Sequence, residues 1–180
     1  MKKTRLSFLI GATAFAAAAL VAGGAGAQQQ LPPNPLDNIP DKMPFDIPYG
    51  PAISLDRAQS AIAAAVAESA KRGWKMNVAV VDSGGSLVAF ARMDGAQLAS
   101  VQIAEHKARA AAIFRRETKI FENAMQLNQL HYIATLDGVI ASRGGIPIIE
   151  GGRLIGAIGC SGGTGSQDEA VCKVGAATIK

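Results

Sequence analysis

Two β-hairpin signals separated by helical segments restrict the fold of this chain more than any other feature. Residues 76–81 and 87–92 predict two strands joined by the turn 82–85, and residues 146–160 predict a second hairpin around Glu-Gly-Gly. Short turns join antiparallel strands, whereas parallel strands need long crossovers. The pattern therefore predicts an α/β (α+β) domain with an antiparallel sheet and argues against a parallel nucleotide-binding sheet.

Helix signals surround the hairpins. Ser54 is a good N-cap for a first helix, and Gly73 suits the left-handed position after its end. For residues 131–141, the sequence allows either a strand or an irregular segment that leads into one. Further helices are predicted over 98–114, from Thr118 through Met125, and after a capping box formed by Ser166 and Glu169.

The first 27 residues have the build of a secretory signal peptide. Lys2, Lys3 and Arg5 precede an uncharged run over residues 6–21, and small residues follow up to Ala27. A membrane span needs about 20 apolar residues, and this run is shorter and richer in Ala and Gly than in Leu. We expect cleavage after Ala27 and a periplasmic or secreted product with no stable membrane insertion.

The rest of the chain divides into an arm and one domain. Residues 28–52 hold all but one of the eight prolines and show no hydrophobic periodicity, which predicts an extended arm or linker before a domain over 53–180. The net charge of +4 includes three leader bases, so 15 basic residues remain against 14 acidic ones, a net charge of +1. This balance argues against a nucleic-acid partner, which needs a basic surplus on one face.

The spacing of the two cysteines, Cys160 and Cys172, does not decide whether they form a disulfide. If the last helix folds back antiparallel on the preceding strand, both cysteines lie at similar height. The predicted buried stripe of that helix is Val171, Val174 and Thr178, and Cys172 lies about 100° around the helix from Val171. We therefore expect a buried Cys160 and a peripheral Cys172, without a bond between them.

Candidate ligand-binding groups occur on the helix predicted over 98–114. No set of His, Cys, Asp and Glu has the spacing of a protein metal site, but a cofactor that carries its own metal needs only one or two protein ligands. His106 lies on one broad stripe, and about 15 Å of helix separates it from Arg116. This stripe suits either a haem, with His106 on the iron and guanidiniums on the propionates, or an ordinary solvated basic face. The stripe consists of Gln102, His106, Arg109, Ile113 and Arg116.

The ordered motifs of the chain resemble those of a known family. The motifs that carry this resemblance are Val78–Gly85, Arg92–Ala96, Lys107-Ala108, Phe114 with Thr118, Gly144–Pro147, Gly156–Gly159, Ser161–Gly163 and Asp168-Glu169. They resemble the motifs of the GlcG/HbpS-like family, also called the haem-degrading or DUF336 family, which is related to the C-terminal domain of PduO proteins. The resemblance implies a profilin-like three-layer α/β/α fold with a five-stranded antiparallel sheet, and a homo-oligomer such as an octamer.

The resemblance also implies a function and a set of site residues. Some members bind haem and are credited with degrading it, and relatives are tied to cobalamin, so we expect an exported protein that binds haem or a related tetrapyrrole. The alternative is an enzyme or accessory protein for a small organic acid or aldehyde, or a purely structural oligomer. The enzyme would use Lys107, Asp94 and Glu169, with Arg92 as an anion clamp. The family pattern highlights Asp82, Arg92, Asp94, Lys107, Gly144, Gly145, Ser161, Gly162, Asp168 and Glu169.

Overall fold

The computed structural model describes residues 34–180, so the predicted cleavage site after Ala27 lies outside the described residues. The described residues 34–40 and residues 41–180 belong to two different compact units. The described part of the first unit contains a short 3-10 helix, Pro35–Asp37, at whose start the Asn34 side chain accepts a hydrogen bond from the Leu36 amide. Among the described residues, no helix combines the length and the apolar character that a membrane span requires.

The second unit is a mixed α+β fold built on an open antiparallel sheet. Its strands are β1 (Asn77–Asp82), β2 (Leu87–Arg92), β3 (Gly145–Glu150) and β4 (Arg153–Ser161), in the order β2-β1-β4-β3. Both predicted hairpins are confirmed, because β1 pairs with β2 and β3 pairs with β4, each in antiparallel register. The central pairing of β1 with β4 is antiparallel as well.

The expected five-stranded sheet is wrong, because the sheet has four strands. The segment left open in the sequence forms a 3-10 helix, His131–Thr135, and not a strand. The outer edge of β3 offers little to a fifth strand. Both the amide and the carbonyl of Gly145 are bonded to Thr118, and Pro147 has no N–H to donate. The profilin-like arrangement stays a prediction.

Four helices accompany the sheet: α1 (Leu55–Lys71), α2 (Ser100–Ile113), α3 (Lys119–Gln126) and α4 (Gly165–Ala176). The Ser54 hydroxyl accepts the Arg57 amide at the start of α1, and Gly73 follows its end with φ of 69°, as predicted. The predicted capping box of α4 is wrong by two residues. Thr164 and Gln167 cap this helix reciprocally, since Ser166 already lies inside its first turn.

Alternate residues of β1 face two apolar clusters on opposite sides of the sheet. Val78 and Val80 lie with α1 and α4, whereas Ala79 and Val81 lie with α2. Gly159 lets α2 approach β4 closely, because a Cβ there would lie 2.1 Å from the Ala104 carbonyl oxygen. Helix α2 thus packs over β4, β1 and β3, and the edge strand β2 remains at its side.

The expectation for the cysteines is wrong. Cys160 and Cys172 form a disulfide with their Cα atoms 5.7 Å apart, and both are fully buried. Helix α4 is rotated relative to the predicted stripe, so that Val174 is 39% exposed. The reason is Gly175, which packs against the Ala61 carbonyl oxygen and the Ile158 side chain. This contact orients the helix so that the residues on the same face, one and two helical turns earlier, point into the core. The buried face is Asp168, Glu169, Val171, Cys172 and Gly175.

The end of the proline-rich arm is part of the folded unit. The Gly50 amide donates to the Leu154 carbonyl at 2.7 Å, and the Leu154 amide donates to the Pro48 carbonyl at 2.9 Å. Ile53 continues the pairing through its amide to Ile155 at 2.8 Å. Residues 47–50, called the strap below, therefore lie along the stretch of β4 that β1 leaves unpaired.

Candidate functional site

The residues predicted from the sequence fall into two places on α2. Lys107 points into the domain together with Gly144 and Asp168, whereas the neighbouring His106 lies on the exposed face with Arg109. Consecutive residues on a helix point about 100° apart, which explains this division.

Lys107 and Asp168 form a buried ion pair. The Lys107 Nζ atom lies 2.7 Å from Asp168 Oδ2 and donates to the Cys160 carbonyl at 3.3 Å. The Gly163 amide donates to Asp168 Oδ1 at 3.1 Å. The two charged side chains are 1% and 3% exposed. Burial raises the pKa of Asp168, and the Lys107 ammonium opposes this rise. Because both groups are enclosed and paired, neither reaches a ligand on the surface.

Gly144 and Gly145 make room for this pair. Gly144 has φ of 115°, and a Cβ there would lie 2.8 Å from Asp168 Cβ and 3.3 Å from Lys107 Nζ. A Cβ at Gly145 would lie 2.3 Å from the Lys107 carbonyl oxygen. The glycine pair is required for the close approach of β3 to α2, and it serves the packing around Lys107.

Glu169 belongs to a network of ion pairs at the N-terminal end of α4. Its carboxylate lies 2.6 Å from Lys173 Nζ, 3.4 Å from Lys119 Nζ and 3.5 Å from Arg143. Arg143 also bonds Glu122 at 2.7 Å. Burial alone would raise the pKa of Glu122, but the hydrogen bonds from Arg143 outweigh it and lower that pKa. The cations are thus already engaged with carboxylates, and Glu169 is not a free acid or base.

We expect Arg143→Met to lower the free energy of unfolding at pH 7, because Glu122 loses charge-assisted hydrogen bonds. A carboxyl group with a lowered folded-state pKa stabilises the protein above its unfolded pKa of about 4.3 and loses this effect as the pH falls through the folded value. The gap between variant and wild type should therefore close below about pH 4. Urea unfolding at a series of pH values measures this difference in the free energy of unfolding. A difference that is constant with pH would contradict the stabilising ion pair between Arg143 and Glu122.

Ser161 lies in a buried polar cluster beneath the N-terminal end of α2. Its hydroxyl donates to Ser100 Oγ at 3.0 Å, and Gln97 Nε2 donates to the same Ser100 atom at 2.6 Å. Asn77 Nδ2 donates to the Gln97 carbonyl at 3.2 Å, and Asn77 Oδ1 is buried without a hydrogen-bond partner among residues 34–180. Sequence reasoning missed Asn77 and Ser100, because a polar residue at a strand or helix start is ordinarily exposed.

The remaining family-highlighted residues are Asp82, Gly162, Arg92 and Asp94. Asp82 closes the β1–β2 turn, since its Oδ1 atom accepts the amides of Gly84 and Ser86 at 2.9 Å each. Gly162 packs closely on the loop between α1 and β1, since a Cβ at Gly162 would lie 2.2 Å from the Lys75 carbonyl oxygen. Arg92 and Asp94 are exposed at the far end of β2. Within residues 34–180, no hydrogen bond or ion pair joins either residue to Lys107 or Glu169, which are paired with other groups.

An open cleft of about 370 Å³ lies between the exposed face of α2 and the β1–β2 hairpin. It exists because α2 leaves the edge strand β2 uncovered. Helix α2 contributes polar side chains at helical spacing, and the hairpin contributes an apolar wall that sequence reasoning did not include. The lining residues are Val81, Gly85, Ser86, Leu87, Gln102, Glu105, His106 and Arg109.

The predicted stripe on α2 is interrupted at its C-terminal end. Gln102, His106 and Arg109 all line the cleft. Helix α2 ends at Ile113, and Arg115 has φ of 55°, so the chain turns before Arg116. The Arg116 guanidinium stacks on the Phe45 ring at 3.4 Å. Arg116 is therefore not on the stripe with His106.

A metal in this cleft would have to arrive with its cofactor. Within residues 34–180, no three His, Cys, Asp or Glu side chains are grouped closely enough to hold a metal ion. The cleft offers one imidazole, which is enough for a cofactor that supplies its other ligands itself. Its apolar wall with a few polar side chains is typical of a small-molecule site.

Comparison with known proteins places these observations in a family context. A family model described as haem degrading protein HbpS-like matches residues 53–177. The protein GlcG of Escherichia coli (strain K12) is 39% identical over 109 residues, which are 61% of this chain and 81% of GlcG. The crystal structure of a double mutant of Streptomyces reticuli HbpS is 27% identical, with a TM-score of 0.68 over 79% of this chain and 97% of that chain. A crystal structure of a PduOC–haem complex is 26% identical, with a TM-score of 0.65 over 72% of this chain and 96% of that chain.

Proposed function

This chain belongs to the HbpS-like family of haem-degrading proteins, and from that premise we propose that it binds haem or a related tetrapyrrole in the cleft beside α2. One observation carries the proposal. The exposed imidazole of His106 lines a cleft whose opposite wall includes Val81 and Leu87, and Arg109 lines the same cleft. An axial ligand, apolar cover and a cation are the three features that a haem site needs.

His106 is the group that would hold the iron. An imidazole nitrogen is the commonest protein ligand for metals, and a histidine holds the haem iron in many haem proteins. Haem bound here would supply the iron and its redox chemistry. The protein contributes the nitrogen ligand from a rigid helix, which fixes the direction from which His106 approaches the ring.

Arg109 is the group that would pair with a propionate. It lies three residues after His106, which is about 4.5 Å of helix rise on a neighbouring part of the same face. A guanidinium binds a carboxylate through two parallel hydrogen bonds, so it fixes orientation as well as charge. Arg116, the second guanidinium expected to bind a propionate, stacks on Phe45. Arg109 is therefore the one guanidinium of the predicted stripe that would bind a propionate.

The hairpin wall supplies the apolar cover that α2 lacks. Leu87 is 52% exposed and Val81 lies at the bottom of the cleft next to it in the β1–β2 register. Gly85 lets the hairpin pack closely on the end of α2, because a Cβ there would lie 3.0 Å from Ile113 and 3.1 Å from Arg109. A macrocycle bound against this wall would remove Leu87 from water, which favours binding by about 25 cal/mol for each Å² of apolar surface.

No observation favours the alternative of an enzyme for a small organic acid or aldehyde. Its candidate groups Lys107 and Glu169 are held in ion pairs. Asp94 and Arg92 are exposed and do not line the cleft. The proposal accordingly concerns binding of a tetrapyrrole, with cobalamin as the related ligand to compare.

Titration of the purified protein with hemin tests the proposal. We expect a Soret shift that saturates at one haem per chain or fewer, because the cleft holds one imidazole. Metal-free protoporphyrin IX is the matched ligand, and it should bind more weakly since it cannot use His106. Cobalamin added in parallel compares the other ligand. A flat or non-saturating hemin curve would count against the proposal.

We also propose that the protein is exported and forms a homo-oligomer. The basic start and apolar run before Ala27 support export to the periplasm or beyond it. The resemblance to the family supports an assembly such as an octamer. Mass analysis of the N-terminus in the periplasmic fraction and light scattering of the purified protein measure the two properties.

A further inference from the structure

The strap, residues 47–50, touches both walls of the proposed ligand cleft. Its two last residues, Tyr49 and Gly50, each contact a different wall. The Tyr49 hydroxyl donates to the carbonyl of Ile113, the last residue of α2, at 2.6 Å. The Gly50 carbonyl accepts from Ser83 Oγ, in the β1–β2 turn, at 3.2 Å. A single dipeptide therefore joins the helix wall to the hairpin wall.

These contacts lie next to the place where the hairpin packs on α2. Gly85 of the hairpin lies directly against α2, since a Cβ there would meet Ile113 Cγ2 at 3.0 Å and Arg109 Cγ at 3.1 Å. Ile113 is thus both the residue that Tyr49 holds and a residue that the hairpin touches. The strap therefore holds the end of α2 at the place where the hairpin meets this helix.

The strap is itself fixed to the domain. Its backbone pairs with Leu154 of β4, and Arg115 donates to the Ile47 carbonyl at 2.9 Å. Gly50 fits this position closely, because a Cβ there would lie 2.9 Å from Arg153 Cβ. The strap is therefore hydrogen-bonded to β4 as well as to the two walls, although it belongs to the arm that the sequence assigns outside the domain.

We propose that Tyr49 is a positioning residue for ligand binding: with the Gly50 carbonyl it holds the end of α2 against the hairpin and sets the width of the cleft. This inference rests on the proposed function, since the affinity that it changes is the affinity for a tetrapyrrole. Tyr49 does not line the cleft and acts through Ile113 on the helix that carries His106 and Arg109.

Hemin titration of Tyr49→Phe is the test of this role. The variant keeps the ring and loses one hydroxyl hydrogen bond, so we expect hemin to bind about two- to tenfold more weakly. The Soret band should broaden, because a wider cleft holds His106 less uniformly against the iron. Tyr132→Phe is the matched control: Tyr132 is equally exposed, and its hydroxyl makes no hydrogen bond within residues 34–180.

Hydrogen exchange gives a second readout that a merely structural role would not move. Because coupling between two sites is reciprocal, hemin bound in the cleft should slow exchange of the strap amides, Gly50 above all, in the wild type. The slowing should be smaller in Tyr49→Phe. Gly50→Ala provides a second variant, since its Cβ would push the strap away from β4 and weaken hemin binding by the same route.

The outcomes separate this inference from the proposed function. If the wild type binds hemin through His106 and Tyr49→Phe binds it equally well with unchanged strap exchange, the positioning role is wrong and the haem site stands. If the wild type binds no hemin, or if His106→Ala binds it with wild-type affinity and spectrum, the proposed site and the inference fail together. Weaker binding by Tyr49→Phe but not by Tyr132→Phe, with strap protection by hemin, supports both.

Discussion

Replacing Lys107 with methionine is expected to lower the free energy of unfolding by about 3–5 kcal/mol, because it leaves Asp168 buried without its cation. The Lys107 and Asp168 side chains are 1% and 3% exposed, so water cannot take over the lost interaction. Methionine has nearly the same length as lysine, and the packing around it is preserved. Urea unfolding at pH 7 measures the loss, and Lys71→Met, at an exposed lysine, is the matched control.

The pH dependence of this loss has a definite sign. Burial raises the pKa of Asp168, and the Lys107 ammonium opposes the rise. In Lys107→Met the rise is unopposed. A group with a raised folded-state pKa contributes stability below its unfolded pKa, about 3.9 for Asp, and loses it as the pH rises through the folded value. The deficit of the variant should therefore be largest at neutral pH and smaller in acid.

A second substitution checks the cause of the effect. Adding Asp168→Asn to Lys107→Met removes the uncompensated charge and keeps an oxygen that accepts the Gly163 amide. We expect the double variant to recover a large part of the lost stability, since neutral partners avoid the cost of desolvating a charge. Equal stability of Lys107→Met and wild type at pH 7, or a double variant less stable than the single one, would contradict the buried ion pair.

Removing the disulfide is expected to have an effect of similar size. In Cys160→Ala/Cys172→Ala we expect the free energy of unfolding to fall by about 3 kcal/mol, the amount that the loop-entropy relation gives for a short closed loop. The loop here has a sequence separation of 12. Both cysteines lie in the main apolar cluster, so the double alanine variant also loses packing there.

Thiol counting and urea unfolding measure the two parts of this prediction. Denatured, unreduced wild-type protein should show no free thiol, and a reductant in the unfolding buffer should destabilise the wild type but not the double variant. Two free thiols per chain would show that the bond is not formed. A wild type that is unaffected by reductant would show that the bond does not stabilise the fold.

Local patterns predicted much of the secondary structure. Strand β2 runs from Leu87 to Arg92 as predicted, because a short continuous run of apolar residues follows a turn rich in Gly. Ser54 and Gly73 bound α1 through a side-chain cap and a left-handed residue, both of which are local effects. Such signals depend only on near neighbours in the chain and are visible in the sequence.

Features that depend on distant contacts could not be predicted in the same way. The rotation of α4 that buries Cys172 follows from Gly175 meeting Ala61 on α1. The turn that takes Arg116 away from His106 ends in a stacking contact with Phe45, 71 positions earlier in the numbering. The number of strands depends on whether another segment reaches an open edge, and Thr118 occupies the edge of β3.

The candidate site shows the same division. The stripe of Gln102, His106 and Arg109 is a helical spacing, and the sequence predicts it. The opposite wall comes from the β1–β2 hairpin, whose position beside α2 is a property of the tertiary packing. Lys107 was predicted as a binding or catalytic group because of its family motif, and the structure places it in a buried ion pair with Asp168.

Hemin titration of His106→Ala is the most direct test of the haem site, with His131→Ala as the matched control. His131 is also exposed, but it lies in the 3-10 helix His131–Thr135 and does not line the cleft. We predict that His106→Ala loses the saturable Soret shift or binds hemin at least about tenfold more weakly, since His106 is the one imidazole that lines the cleft and could hold the iron. His131→Ala should bind like the wild type. Unchanged hemin affinity and an unchanged Soret position in His106→Ala would contradict the proposed site.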